Sequence, residues 1–399
     1  MKKRYLIGQI ACFGDCLLAT TLAKQLKHDN PENHITWAVA AKYRSVLDHN
    51  PYVDEIWELP IYTRNISKSD WANFITQAEQ KKAQHVFDEL LYTQIFDDYI
   101  DIFFTTLRYT VFKIFNRPVT VDKAPVISLT AAEIDRVSAF AQKHRLTQYK
   151  EVVLFECAPT SEQSKLNIDF AARIANELTK NNKEVCFILT TSEKLAVQNE
   201  QIIDASVLSF RENAELAGYC TLLIGCSSGI TWLCTSSYSK KLPTIQLLNE
   251  RSAIFAGVNF DLAINGLDNS HVIEMTDYDF DRVMQCIQAV WSNGAHASRP
   301  AFNQDYKPNQ YTLEALSKSL LQKGRTPGQV WRFMKGYLAE NKRLGNIIRI
   351  NKPIYLLKLL FWNFQNSQNG LYRKLTAPWR TFTRVFNNSQ VLTARKNQH

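Results

Sequence analysis

The feature that most limits how this chain can fold is a pattern that recurs along it: a short apolar run, a tight turn of small residues, then a helix. The first copy begins with the apolar run Tyr5–Ile10 and continues through Ala11-Cys12-Phe13-Gly14. After Gly14 the period changes, and Leu17, Leu18, Leu22 and Leu26 recur at helical spacing with Lys24 and Lys27 on other faces. The second copy starts at Glu151-Val-Val-Leu-Phe-Glu156, passes through the polar loop Cys157–Lys165 and enters a helix over Asn167–Lys180. A third follows in Thr221-Leu-Leu-Ile-Gly-Cys-Ser-Ser-Gly-Ile-Thr-Trp-Leu-Cys234. Strand, turn and helix in this order make the first half of a mononucleotide-binding unit, whose ligands gather at the carboxyl edge of the strands.

Further strands are expected at Asn33–Ala40, at Glu55–Leu59 after the Asn50-Pro51 break, and more weakly at His85–Glu89. Residues 62–115 are aromatic-rich and helical in period, and read as helical insertions in the first half. A helix over Ala131–His144 leads to a hinge near Leu146–Lys150. Beyond it, strands are expected at Glu184–Thr190, Val207–Phe210, Leu242–Leu248 and His271–Met275. The fold class is therefore α/β, with two Rossmann-like domains facing a cleft. The expected division is 1–148, 149–298 and a basic, amphipathic helical extension over 299–399.

Asp15 sits where the first helix begins and admits two readings. As an N-cap its carboxylate would accept the first free helix amides. As a group projecting from the strand edge it would be a general base. Ser227-Ser228-Gly229 precedes a helix, so amides and hydroxyls there could converge on an anion, with Gly229 permitting close backbone approach. A plain capped turn has the same sequence. Lys165, on the loop that also carries Thr160 and Ser161, offers a countercharge for a diphosphate. Gly8 and Gly14 are too far apart for a dinucleotide fingerprint, and no P-loop is present. Asp277-x-Asp279-x-Asp281 lacks the Gly and Glu of a calcium loop, having Arg282 and Gln288 instead, and reads as a helix-start cap cluster.

Charge localises any anionic partner. Over the 399 residues the formal charge is +9, yet residues 300–399 hold 17 Lys and Arg against 3 Asp and Glu, leaving the body mildly acidic. In that tail Val330, Phe333, Met334, Tyr337 and Leu338 share a helical face. Ile354–Trp362 is strongly apolar but too short to span a bilayer, and Trp379, Phe382 and Phe386 lie among Arg373, Lys374, Arg380 and Arg384. Such a tail suits an anionic membrane surface, or a helical cap packed on the two domains. Nucleic acid is not expected as a partner, because no recognised module is present. The eight cysteines form no CxxC pair and read as buried thiols. Met1-Lys-Lys-Arg4 could begin a signal peptide, but Asp15 interrupts its apolar region, so a cytoplasmic location is expected.

Phe13-Gly-Asp-Cys-Leu-Leu-Ala-Thr-Thr-Leu22, followed by Asn50-Pro-Tyr-Val-Asp-Glu-Ile56, resembles the N-terminal signature of glycosyltransferase family 9, the heptosyltransferase family. Ser164-Lys165 with the helix after it, and Ser209–Leu216 with Leu223–Gly229, resemble its donor motifs; the likeness covers about residues 3–250. The resemblance implies a GT-B fold, with the acceptor on the first domain and a nucleotide sugar on the second, and inverting transfer without a metal or other cofactor. It makes Asp15 the base, with Gly14 in the acceptor-side loop. The donor side would be Lys165, Thr160, Ser161, Ser227, Ser228, Gly229 and Trp232. Two residues depart from it: Ser227 stands where the family is acidic, and Trp232 where it has His. The function this implies is transfer of a sugar to a lipopolysaccharide or other lipid-linked glycan, peripheral on the cytoplasmic membrane. The alternative is a non-catalytic relative that only binds a nucleotide sugar or glycan.

Overall fold

The computed structural model describes residues 2–64, 66–94, 105–158, 163–191, 193–196, 199–249, 257–322 and 324–367. The first half runs β1 (Arg4–Gly8), α1 (Phe13–Asp29), β2 (His34–Ala40), a 3-10 turn (Ala41–Leu47), β3 (Glu55–Leu59), α2 (Lys68–Ala83), β4 (Glu89–Tyr92) and α3 (Leu107–Phe115). Its strands pair in parallel in the order β3-β2-β1-β4. Then come α4 (Ala131–Lys143), β5 (Glu151–Glu156), α5 (Ile168–Lys180), β6 (Val185–Thr190), β7 (Ile202–Asp204), α6 (Glu212–Leu216), β8 (Leu222–Gly225) and α7 (Gly229–Leu233). The second sheet is completed by β9 (Thr244–Leu247), α8 (Val258–Ile264) and β10 (Val272–Met275). It is parallel throughout, in the order β10-β9-β8-β5-β6-β7.

Both sheets reverse their strand order beside their first strand, between β1 and β4 and between β5 and β8. A crevice opens at such a reversal, because the connections leave it in opposite directions. Val153 and Phe155 of β5 are buried against α5, whereas Val152 and Leu154 are buried with α4 on the other face. Covering both faces accounts for the near-continuous apolar run of that strand.

Three expectations shift. α4 packs on the second sheet, because its apolar face of Val137, Phe140 and Ala141 meets Val152, Leu154 and Ile188. The chain therefore crosses to that sheet before Thr130, not near Leu146–Lys150, where only a 3-10 turn (Leu146–Gln148) lies. The expected strand at Val207–Phe210 is a turn. The edge strand ends at Asp204, whose carboxylate accepts the Ser206 amide at 2.8 Å and bends the chain away. The strand expected from His85 begins at Glu89, because His85 takes a left-handed conformation just past α2.

The described part of the tail is helical: α9 (Phe280–Phe302), broken at Gly294 with φ 78°, then α10 (Gln310–Gln322), α11 (Pro327–Arg343) and a further helix, α12, over 352–367. Asp279 caps α9, as the Asp cluster suggested. α10 to α12 build their own core around Leu316, Leu320, Val330 and Tyr337, with Leu107 of α3 packed against it. Lys113 of α3 pairs with Glu340 at 3.0 Å, so the chain returns to the first half. Trp379, Phe382, Phe386 and their neighbouring cations lie outside the described residues. All eight cysteines are free thiols and seven are buried. Among the described residues no helix is long and apolar enough to cross a membrane.

Candidate active site

The two reversal points face each other across a cleft of about 560 Å³. From the first half, the β1–α1 turn supplies Cys12, Phe13, Gly14 and Asp15, joined by Tyr43, Arg64, Thr106 and Leu107. From the second come Glu156 at the end of β5, Ser227 to Ile230 and Trp232 after β8, and Phe210.

Asp15 is not a cap. α1 begins after Cys12, a residue with positive φ whose side chain makes no capping bond, and Asp15 lies inside the first turn. Its carboxyl is half-buried and faces the cleft. Burial alone, with no described cation or amide to oppose it, pushes its pKa up to about 7. Near neutral pH the group is therefore poised to accept or release a proton. Cys12 beside it stays a thiol, since burial first and the Asp15 charge second push it up to about 12.

The helices α1 and α7 pack against each other, and glycine makes this approach feasible. A Cβ on Gly14 would stand 3.3 Å from Trp232 Cδ1, and one on Gly229 would stand 3.0 Å from Phe210 Cε2. Gly229 thus admits an aromatic ring from its own half. Phe13 stacks on Phe210 at 4.6 Å and meets Tyr43 edge-on at 5.0 Å, closing the floor across the two halves. Trp232 is 6% exposed, lies 5.7 Å from the Arg108 guanidinium and packs with first-half residues. It wedges the halves together as well as lining the cleft.

The Ser227-Ser228-Gly229 turn already holds an anion, the carboxylate of Glu156. That side chain accepts hydrogen bonds from the Ser228 hydroxyl, the Ile230 amide at 2.8 Å, the Thr231 hydroxyl at 2.7 Å and the Cys226 amide at 3.2 Å. Ser227, at φ 54°, gives its amide to Gln246 Oε1 at 2.6 Å. Of the donors expected to cradle a phosphate, the Ser227 amide and the Ser228 hydroxyl are thus engaged within the protein. A buried carboxylate satisfied by several donors is stable where it is.

Of the residues expected to form the site, Gly14, Asp15, Ser227, Ser228, Gly229 and Trp232 come together. Lys165 does not; it is exposed and off the cleft, and its loop contributes Gln163, whose amide donates to Ser227 O at 2.8 Å. Thr160 and Ser161 lie outside the described residues. Sequence reasoning missed Arg64 and Glu156. Among the described residues lining the cleft, Arg64 is the one Lys or Arg. It was hidden in a segment whose only signal was its aromatics. Glu156 was legible in principle, as a lone carboxylate ending an apolar strand at the carboxyl edge. Among the described residues, no three His, Cys, Asp or Glu side chains gather as a metal site would require.

No protein-family model matches this sequence, and no curated protein matches it. Solved structures do share its architecture. The Escherichia coli ADP-heptose lipopolysaccharide heptosyltransferase II superposes with a TM-score of 0.50 at 13% identity, covering 73% of this chain and 98% of that one. A glycosyl transferase family 9 structure from Veillonella parvula gives 0.49 at 14% identity, covering 81% and 98%. A UDP-N-acetylglucosamine 2-epimerase gives 0.44 at 10% identity, covering 81% and 97%. At these identities the likeness is one of fold. The chain has the GT-B fold, two Rossmann-like sheets facing a cleft, and what it does must be argued from the cleft.

Proposed function

We propose that this protein transfers a sugar from a nucleotide-sugar donor to an acceptor hydroxyl, with Asp15 as general base. One observation carries the reading. A carboxyl group with no partner among the described residues, which burial pushes up to about 7, stands at the reversal point of one sheet and faces the reversal point of the other. Sugar transfer requires a group that takes the hydroxyl proton as the oxygen attacks the anomeric carbon. That attack breaks the bond from the anomeric carbon to the donor phosphate oxygen, and the nucleotide leaves with the electron pair. Arg64 supplies positive charge in the cleft for the leaving phosphate.

Inversion of the anomeric centre is part of the proposal, and the carboxyl groups of the cleft support it. A double displacement needs a second carboxylate as nucleophile. Glu156, the other acid among the described residues lining the cleft, has its oxygens committed to the β8–α7 turn. A single displacement, which inverts the anomeric centre, uses Asp15 alone and places no demand on a metal.

The acceptor class to assay first is lipopolysaccharide or another lipid-linked surface glycan; lipopolysaccharide is what the name of the E. coli structure of the same fold carries. Such an acceptor would hold the protein at the inner face of the cytoplasmic membrane. A second reading, a non-catalytic binder of nucleotide sugars or glycans, draws support from Glu156 filling the expected phosphate turn and from Lys165 lying off the cleft. A thermal-shift screen of nucleotide sugars, followed by turnover with the stabilising donor, separates the two. Donor-dependent product of inverted configuration supports the enzyme; donor binding without turnover on any glycan acceptor supports the binder.

A further inference from the structure

The helix α12 is apolar on two opposite faces, and only one of them is covered. Tyr355 and Leu359 are buried in the core of the C-terminal helices, and Trp362 packs against that core. The inner face is also pinned by Lys358, which reaches Glu314 at 2.6 Å, and by Lys318 over the Trp362 ring at 4.9 Å. On the other side Ile354, Leu357, Leu360, Phe361 and Phe364 are each between 51 and 67% exposed. Their spacing places them along one arc of the helix. A helix that is apolar all round is normally enclosed. Half of this one faces outward.

Charge identifies what covers it. From Asn341 to His399 the chain carries eleven Lys and Arg and no Asp or Glu. A second copy docked through this face would bring two cationic segments together, with the neighbouring acids Glu314 and Glu340 already engaged by Lys358 and Arg343 of the same chain. The residues after α12 fit no better, since 368–399 add six further cations and no acid. An anionic bilayer complements both properties, accepting the apolar side chains below its headgroups and attracting the cations to them.

We propose that the outer face of α12, formed by Ile354, Leu357, Leu360, Phe361 and Phe364, is a docking surface for anionic lipid bilayers. The helix lies in the plane of the interface, since it is not long and apolar enough to cross. The inference rests on this surface alone and not on the transferase reading. Leu107 connects the two places: it lines the cleft and also packs against the C-terminal core.

The test is flotation of the full chain with vesicles of mixed phosphatidylglycerol and phosphatidylcholine, and with phosphatidylcholine alone, at low and high salt and without any sugar nucleotide. The parent is expected to float with the anionic vesicles, and more so at low salt. The double variant Leu357→Glu, Phe361→Glu is expected to partition at least about tenfold less. Its melting temperature should be unchanged, because both side chains are outside the core. A parent that ignores anionic vesicles overturns the proposal, as does a variant that floats as well as the parent. A parent that is dimeric by light scattering, and becomes monomeric in the variant, would make the face a self-interface and equally overturn it. Because no donor is present, failure here leaves the catalytic reading untouched, and loss of that reading leaves this result standing.

Discussion

Arg108 and Asp261 form an ion pair at 2.9 Å across the two halves of the molecule, each side chain only 1% exposed. Arg108 belongs to α3 and Asp261 to α8, so the bond ties the first sheet's layer to the second's beside the cleft. Removing one partner strands a buried charge. Arg108→Met alone, or Asp261→Leu alone, should destabilise the protein by about 3–5 kcal/mol, whereas the double substitution should recover most of that loss. Urea unfolding of the three variants measures it. Additive losses would show that the two residues act separately.

Asp15→Asn keeps the size of the side chain and removes the base. Turnover should fall by about two to four orders of magnitude with donor affinity little changed. In the parent, activity should rise with pH through about 7, because the base works only when deprotonated. That limb should be absent from whatever activity the variant retains. A variant with parental turnover would end the catalytic assignment.

Arg64→Ala should weaken nucleotide-sugar binding by about ten- to a hundredfold, the usual worth of a charge-assisted contact. Lys165→Ala should change it less than about twofold, since that side chain is exposed and away from the cleft. Titration calorimetry with the stabilising donor compares them. The reverse ranking would return the phosphate to the loop where the sequence first suggested it.

Stability should depend on pH in a direction unusual for carboxylates. Burial raises both Asp15 and Glu274 to about 7, although the Asn259 and Tyr306 amides oppose it at Glu274. The folded state therefore takes up these protons more readily than the unfolded chain, whose carboxyls titrate near 4. Their contribution to stability grows as pH falls from above 7 towards about 4, and is lost as pH rises through 7. Asp15→Asn should flatten part of this slope and stabilise the protein by about 1–3 kcal/mol at pH 8. Chemical denaturation of parent and variant at pH 5.5 and 8 reads it directly. A variant less stable than the parent at pH 8 would show that the carboxylate is held by partners.

The sequence by itself determined the repeated βα plan, because apolar runs of strand length, small-residue turns and helical leucine spacing are local properties. Asp15 could be named from it, since the end of a strand and the start of a helix fix where a side chain emerges. That the carboxyl does not cap was decided by the tertiary structure, which places it inside the first turn of α1 and facing the cleft. Glu156 and Ser228, 72 residues apart, show the same limit. A turn can read as a phosphate cradle when its own anion arrives from a distant strand. The placement of α4 on the second sheet, the wedge of Trp232 against Gly14 and the arrival of Arg64 in the cleft are equally long-range. They depend on which surfaces meet once both sheets are covered, and no local spacing encodes that.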